Sequence, residues 1–201
     1  MDLTIGCLRA IAVKAEKTYN LTLIQLPKKK ALPTELSLHQ RNIMNQHEQL
    51  IEKFYSAFSQ KDWKVMQSCY HDEIVFSDPV FTHLKGNEAK AMWHMLAVSA
   101  KDFSLIFSDM KADGTTGSCH WEAQYSFSRT GRKVLNKIDA KFEFKDGLII
   151  KHTDYFDFWK WMQMALGTMG LLLGWSAFMR NKIKENAMAG LKKFMTENGY
   201  R

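Results

Sequence analysis

Residues 117–157 read GSCHWEAQYSFSRTGRKVLNKIDAKFEFKDGLIIKHTDYFD, and this stretch decides the fold. Apolar and polar side chains alternate through three consecutive runs, 117–128, 133–144 and 148–157, which is the two-residue period of half-buried strands. Thr130-Gly131 separates the first two runs and Asp146-Gly147 the last two, and Asp-Gly is a strong hairpin signal. Three long antiparallel strands are therefore expected. A fourth, over Phe103 to Met110, precedes them across a turn at Asp113-Gly114.

Upstream the apolar period changes to that of a helix. From Asn45 onward, Leu50, Ile51, Phe54, Tyr55 and Phe58 share one face. Lys61-Asp62 ends that helix, and Asp62 is a good N-cap for a short second one carrying Trp63, Val65, Met66 and Tyr70. Glu73 to Ser77 alternates as a strand and stops at Asp78-Pro79, because Pro79 has no N–H for a ladder. Asn87 to Ala100 reads as a third helix. Helices first and strands later predict an α+β fold, with the helices on one face of an antiparallel sheet.

The chain has 201 residues, 46% of them hydrophobic and 24% charged, as in ordinary globular domains. Its net charge of +7 comes from the ends: residues 44–158 carry fourteen basic against sixteen acidic residues. A nucleic-acid-binding face would concentrate basic charge on the folded part, so no nucleic-acid partner is expected. Cys7, Cys69 and Cys119 are too scattered for a disulfide framework, which suggests a reducing, cytoplasmic setting. No H-E-x-x-H, C-x-x-C, Walker or G-x-S-x-G pattern occurs, so no metal and no cofactor is expected.

Three segments follow. Residues 1–43, with Pro27, Lys28-Lys29-Lys30 and Pro33, read as a poorly ordered basic tail. Residues 44–158 form the domain, and residues 159–201 form a helical C-terminal extension. Within the extension, 161–179 (WMQMALGTMGLLLGWSAFM) carries no charge. Gly167 divides it, and an amphipathic helix over about 171–195 would turn Leu171, Trp175, Phe178, Ile183 and Leu191 inward. Packing over the domain or a dimer partner is the first expectation. Peripheral membrane contact through 159–195 and a true span remain as alternatives.

Strand parity selects the candidate site. Trp121, Ala123, Tyr125 and Phe127 share a face, as do Val134, Asn136, Ile138, Ala140 and Phe142. Ile150, His152, Asp154 and Phe156 share a face on the last strand. Asn136, His152 and Asp154 are polar intruders on otherwise apolar faces, and a buried polar group is costly unless paired. The strand rise puts the Cβ atoms of His152 and Asp154 about 7 Å apart, within reach of a shared ligand or water. The alternative is a structural pair. Asp78 is held extended by the proline after it.

The runs IEKFYSAFSQKDWKVMQSCYHDEIVFSDPVFTHLKGNEAKAMWHML (51–96) and KFEFKDGLIIKHTDYFDFW (141–159) resemble the nuclear transport factor 2-like superfamily, that of ketosteroid isomerase and the SnoaL-like polyketide cyclases. The resemblance covers about residues 45–158. It implies a cone of curved antiparallel sheet wrapped by three helices around an internal pocket, and a homodimer through the outer sheet face. It also implies a cofactor-free isomerase or cyclase acting on a small apolar carbonyl compound. SDPVF matches the context of the isomerase's general base at Asp78, and His152-x-Asp154 matches the acid/base pattern of the cyclases. The isomerase's helix-1 Tyr falls on Phe54, with Tyr55 adjacent, and its second Asp falls on Ala140, so that oxyanion hole is missing or displaced. No Arg lies on an inward face, which disfavours the Asp-Arg-Asp chemistry of limonene epoxide hydrolases.

Asp154, His152 and Asp78 are therefore the candidate catalytic residues. Trp121, Tyr125, Asn136, Phe142, Tyr55, Trp93 and Phe156 are the candidate ligand-binding residues. The competing expectation is a non-catalytic binding or dimerisation module whose pocket is filled by its own side chains or by the C-terminal helix.

Overall fold

The computed structural model describes residues 35–201, with side chains from Gln46 onward; of the tail expected over 1–43, residues 1–34 lie outside the described residues. Helix α1 (Glu35–Ser59) extends N-terminal of the Met44 boundary that composition suggests. It is followed by α2 (Trp63–Ser68), β1 (Tyr70–Ser77), β2 (Leu84–Lys85), α3 (Asn87–Ser99), β3 (Lys101–Ala112), β4 (Thr116–Ser126), β5 (Lys133–Lys145) and β6 (Leu148–Tyr155). Three helices, α4 (Phe158–Leu166), α5 (Thr168–Leu173) and α6 (Ala177–Glu197), complete the chain. The strands form one curved sheet in the order β2-β1-β6-β5-β4-β3. All pairs are antiparallel except β1–β6, which is parallel.

Bulges curve the sheet. The register of β3 against β4 slips between Lys101 and Ser104 and again between Ser108 and Lys111. Asp102 (φ 49°) and Asp109 (φ 53°) take left-handed backbone within these slips, and bulges bend and twist the strand that carries them. Asp146 (φ 53°) and Gly147 (φ 74°) both have positive φ, as a type I′ hairpin turn requires. Another slip falls between Glu143 and Phe144, so that Phe144 pairs with Ile149. This bulge reverses parity early in β6: Ile149, not the expected Ile150, enters the core, while His152 and Asp154 keep their inward face.

The inner face of the sheet packs on α1 and α3. Ile51, Phe54, Tyr55 and Phe58 from α1 meet Met92 and Trp93 from α3. Ala89, Ala91 and Ala97 are buried on α3 and let it lie close. Asp62 caps α2 by accepting from the Val65 N–H at 3.1 Å. That helix stops at Ser68, so Tyr70 belongs to β1 rather than to a helix face.

The C-terminal extension packs on its own domain. Phe158, Trp161, Met162 and Ala165 of α4 cluster with Val134, Tyr125 and Phe127 of the sheet's open end. The β4–β5 turn satisfies carbonyls left over at the end of α4: Thr130 Oγ1 donates to Ala165 O at 2.6 Å and Arg132 Nε to Met164 O at 2.9 Å. Leu191 of α6 is buried in the main core. Tyr200 accepts from Gln67 Nε2 (2.7 Å) and donates to His94 Nδ1 (2.9 Å), so His94 anchors the C-terminus, stacked on Trp63 at 3.7 Å. Leu171, Trp175 and Phe178, expected inward, are exposed, because Gly174 to Ser176 interrupts the helix and resets its face. Among the described residues, no helix is long and apolar enough to cross a membrane.

Gly170 fixes the turn from α4 to α5. A Cβ there would lie 2.0 Å from the Met162 carbonyl oxygen, and backbone cannot move aside as a flexible side chain can. Gly170→Ala should therefore destabilise the fold by about 1–3 kcal/mol in urea unfolding. An unchanged midpoint would mean that α5 does not sit against α4 in this way.

Candidate functional site

His152 and Asp154 project from β6 into the centre of the cone, 0% and 4% exposed. Their side chains meet directly rather than only through a shared ligand or water: His152 Nε2 lies 3.0 Å from Asp154 Oδ1. Trp121 Nε1 donates to the same oxygen at 3.3 Å. On the other side, His152 Nδ1 lies 2.6 Å from the Tyr70 hydroxyl. The network assigns the protons. With the Nε2 proton directed at Asp154, Nδ1 is left as acceptor and the Tyr70 hydroxyl donates to it. A chain of donors thus runs from β1 through β6 and ends on one carboxylate oxygen that β4 also supports.

Aromatic rings surround this chain. Trp93 stacks on His152 with centroids 5.6 Å apart and planes at 15°. Phe142 lies at 4.5 Å, Phe76 at 5.2 Å and Phe54 at 5.5 Å. In such surroundings an anion is poorly solvated, and its field reaches far. Burial, and then the Asp154 charge, push the Tyr55 and Tyr70 phenols well above their ordinary range. The Trp93 indole N–H offsets part of the rise at Tyr70, although it makes no hydrogen bond of ordinary geometry. The Tyr55 hydroxyl is likewise buried without a hydrogen-bond partner among the described residues. Two donors in the cone therefore lack acceptors.

Asp78 sits at the end of β1, toward the mouth. Its carboxylate accepts from the Val80 N–H at 2.7 Å and from the Phe81 N–H, and its own N–H donates to Phe81 O at 2.8 Å. Such a turn is the bland role of an Asp before Pro. The residue as a whole is partly exposed, but its carboxyl is enclosed. Burial, the largest cause, raises its pKa to about 7; the two backbone N–H groups and Lys184 act downward, and Asp154 adds to the rise. Tyr125, beside it, is pushed up by burial and by the Asp78 charge, and receives the Trp161 indole N–H at 2.8 Å.

The expected residues thus fall into two groups. Tyr55, Trp93, Trp121, Phe142, His152 and Asp154 form the cone interior. Asp78, Tyr125 and Phe156 lie toward the mouth, where α4 closes over them, and Asn136 is buried on β5 opposite Ala123. Sequence reading missed Tyr70, Trp161 and Lys184. The even spacing of Tyr70, Ile74 and Phe76 along β1, all three buried, was the available signal for the first; nothing local marks the other two. Neither of two clefts in the described residues is lined by His152 or Asp154. One, of about 630 Å³, follows the outer sheet face past Lys111, Lys141 and Lys151. The other, of about 380 Å³, lies between Pro79, Phe158, Trp175, Arg180 and Lys184. Among the described residues, no three His, Cys, Asp or Glu side chains are grouped as a metal-ligand set.

Tyr70→Phe leaves Nδ1 of His152 buried without its donor. It should cost about 1–3 kcal/mol in urea unfolding while leaving the ring packing intact. A neutral result would show that the phenol does not complete the chain.

The comparisons agree with this architecture. Of the solved structures, an LEH-like epoxide hydrolase from M. tuberculosis superposes with a TM-score of 0.53 at 18% identity, over 65% of this chain and 98% of its own. TsrD from Streptomyces laurentii gives 0.53 at 21% identity, over 61% and 96%. TerC, co-crystallized with polyporic acid, gives 0.53 at 15%, over 60% and 98%. At these identities the likeness is one of fold. No curated protein sequence matches the chain. The family model described as "SnoaL-like domain" matches residues 51–152, half of the chain. With the cone, its inward His152-Asp154 pair and that match together, the chain belongs to the SnoaL-like domain family.

Proposed function

We propose that the chain is a cofactor-free acid–base catalyst of the isomerase or cyclase type, acting on a small carbonyl compound, with Asp78 as the proton-transferring group. The observation that carries this is the enclosed Asp78 carboxyl at the mouth of an aromatic cone, its pKa raised to about 7. A base works best when its pKa lies near the operating pH. The cleft beside Pro79, which Phe158, Trp175, Arg180 and Lys184 line and Asp78 does not, is the opening we assign to substrate entry; its volume of about 380 Å³ falls within the usual range for small-ligand sites.

The chemistry balances without a cofactor. The Asp78 carboxylate takes a proton from the carbon next to the carbonyl, and the C–H electron pair moves onto the carbonyl oxygen to give an enolate. The proton then returns from Asp78 to another carbon conjugated with the enolate, or the enolate carbon attacks a second carbonyl and closes a ring, and the alkoxide so formed takes the proton back from Asp78. The carbonyl oxygen must then reach past Asp78 into the cone interior, where Tyr55 and Trp93 are buried donors without an acceptor among the described residues. Tyr55 then takes the part of the displaced helix-1 tyrosine. The outer sheet face, where His120 bridges Asp139 at 2.7 Å and Glu122 at 3.5 Å, is the surface we assign to a homodimer.

One observation favours the second reading, a non-catalytic module. The rings of Tyr55, Trp93, Trp121 and Phe142 pack against one another and His152, and neither cleft is lined by Tyr55, Trp93, Trp121 or His152. Deuterium exchange separates the two. The protein is incubated in D2O with a panel of small enolisable ketones, and exchange next to the carbonyl is followed by NMR. Catalysed exchange should rise with pH to a plateau through about 7 as Asp78 ionises. Asp78→Asn, which retains the acceptor for the two backbone N–H groups, should slow it by about 10²–10⁴-fold. No exchange with any ketone, or exchange untouched by Asp78→Asn, supports the module.

A further inference from the structure

Helix α5, the turn after it and the start of α6 present apolar side chains that stay largely exposed among the described residues. Leu172, Trp175 and Phe178 are 65%, 71% and 78% exposed, with Trp159 and Leu171 also in the open. This surface is held outward. Gly170 and Gly174 bring α5 against the α4 backbone and Trp159. Trp175 Nε1 donates to Leu172 O at 2.9 Å, and Ser176 caps α6 through the Met179 N–H. Its charge is mainly positive: residues 158–184 contain Lys160, Arg180, Lys182 and Lys184 and no Asp or Glu, with Asp157 and Glu185 just beyond its limits.

We propose that this surface docks on an anionic lipid bilayer, with α5 lying in the interface and the domain remaining outside the membrane. Trp and Leu side chains rimmed by basic residues match the headgroup region, where indoles are favoured and cations meet lipid phosphate. A second copy of this chain fits less well, because a two-fold interface would set each cation near its own like. Anionic lipid neutralises the same four charges instead. The docking surface shares Trp175, Arg180 and Lys184 with the cleft beside Pro79, but its test reads membrane binding and needs no catalysis.

The test is co-sedimentation of the full chain with vesicles of phosphatidylcholine, alone or with about one-third phosphatidylglycerol. The protein should bind the anionic vesicles, release in high salt, and bind neutral vesicles weakly. Leu172→Ser/Trp175→Ser/Phe178→Ser should lower partitioning by about tenfold or more with an unchanged circular dichroism spectrum. Arg180→Gln/Lys182→Gln, which keeps the apolar surface, should lower it by about fivefold per residue, and decides the matter if the first variant misfolds. Absence of binding overturns the proposal. So does binding that survives the variants, which would place attachment elsewhere in the chain. A dimer in sedimentation velocity that the triple variant dissociates, without vesicle binding, assigns the surface to a second copy and equally overturns it.

Discussion

The Asp154 carboxylate inside an aromatic cone is the constraint on which the rest depends. A buried carboxylate must be paired and hydrogen-bonded, or its desolvation outweighs what the fold can supply. Here two donors meet one oxygen, His152 Nε2 and Trp121 Nε1. His152 in turn needs Tyr70. Three strands must therefore hold their register: β1 for Tyr70, β4 for Trp121 and β6 for the pair. The parallel β1–β6 pairing sets Phe76 beside His152, and the antiparallel β5–β6 pairing sets Ala140, the smallest chiral side chain, opposite Asp154.

The same charge sets the chemistry at the mouth. Asp78, already destabilised as an anion by burial, is raised further by Asp154. Its folded pKa of about 7 stands above the ordinary value of 3.8, so the folded protein holds that proton more tightly than the unfolded chain does. The stability this contributes is fully present below the unfolded pKa and is lost as pH rises through the folded one. Near neutrality the fold thus carries an anion at the mouth that it does not favour, the usual relation between a reactive group and the stability around it.

Much of the architecture is readable from residue periodicity. Alternation along β4 and β5 places Trp121, Asn136 and Phe142 inward, and the turn residues at Asp146-Gly147 set the hairpin. His152 and Asp154 stand out as polar groups on an apolar face for the same reason. The errors fall where a local device breaks the period. The Glu143–Phe144 bulge moves Ile149 into the place expected for Ile150. Tyr70 lies at a helix-to-strand junction, where a 3.6-residue and a two-residue period both accommodate it. The closure of the mouth by Trp161 and the nearness of Lys184 to Asp78 are long-range packing outcomes, with no signature in neighbouring residues.

The coupling of the two carboxylates is open to direct measurement. Carbon-13 NMR of labelled aspartate carboxyls, titrated in the native protein and in Asp154→Asn, reports Asp78 alone once Asp78→Asn has assigned its signal. Asp78 should titrate at about 7 in the native protein and lower when the Asp154 charge is removed. Titration near the ordinary 3.8, or a midpoint indifferent to Asp154→Asn, would contradict a cone whose buried carboxylate prepares the base at its mouth.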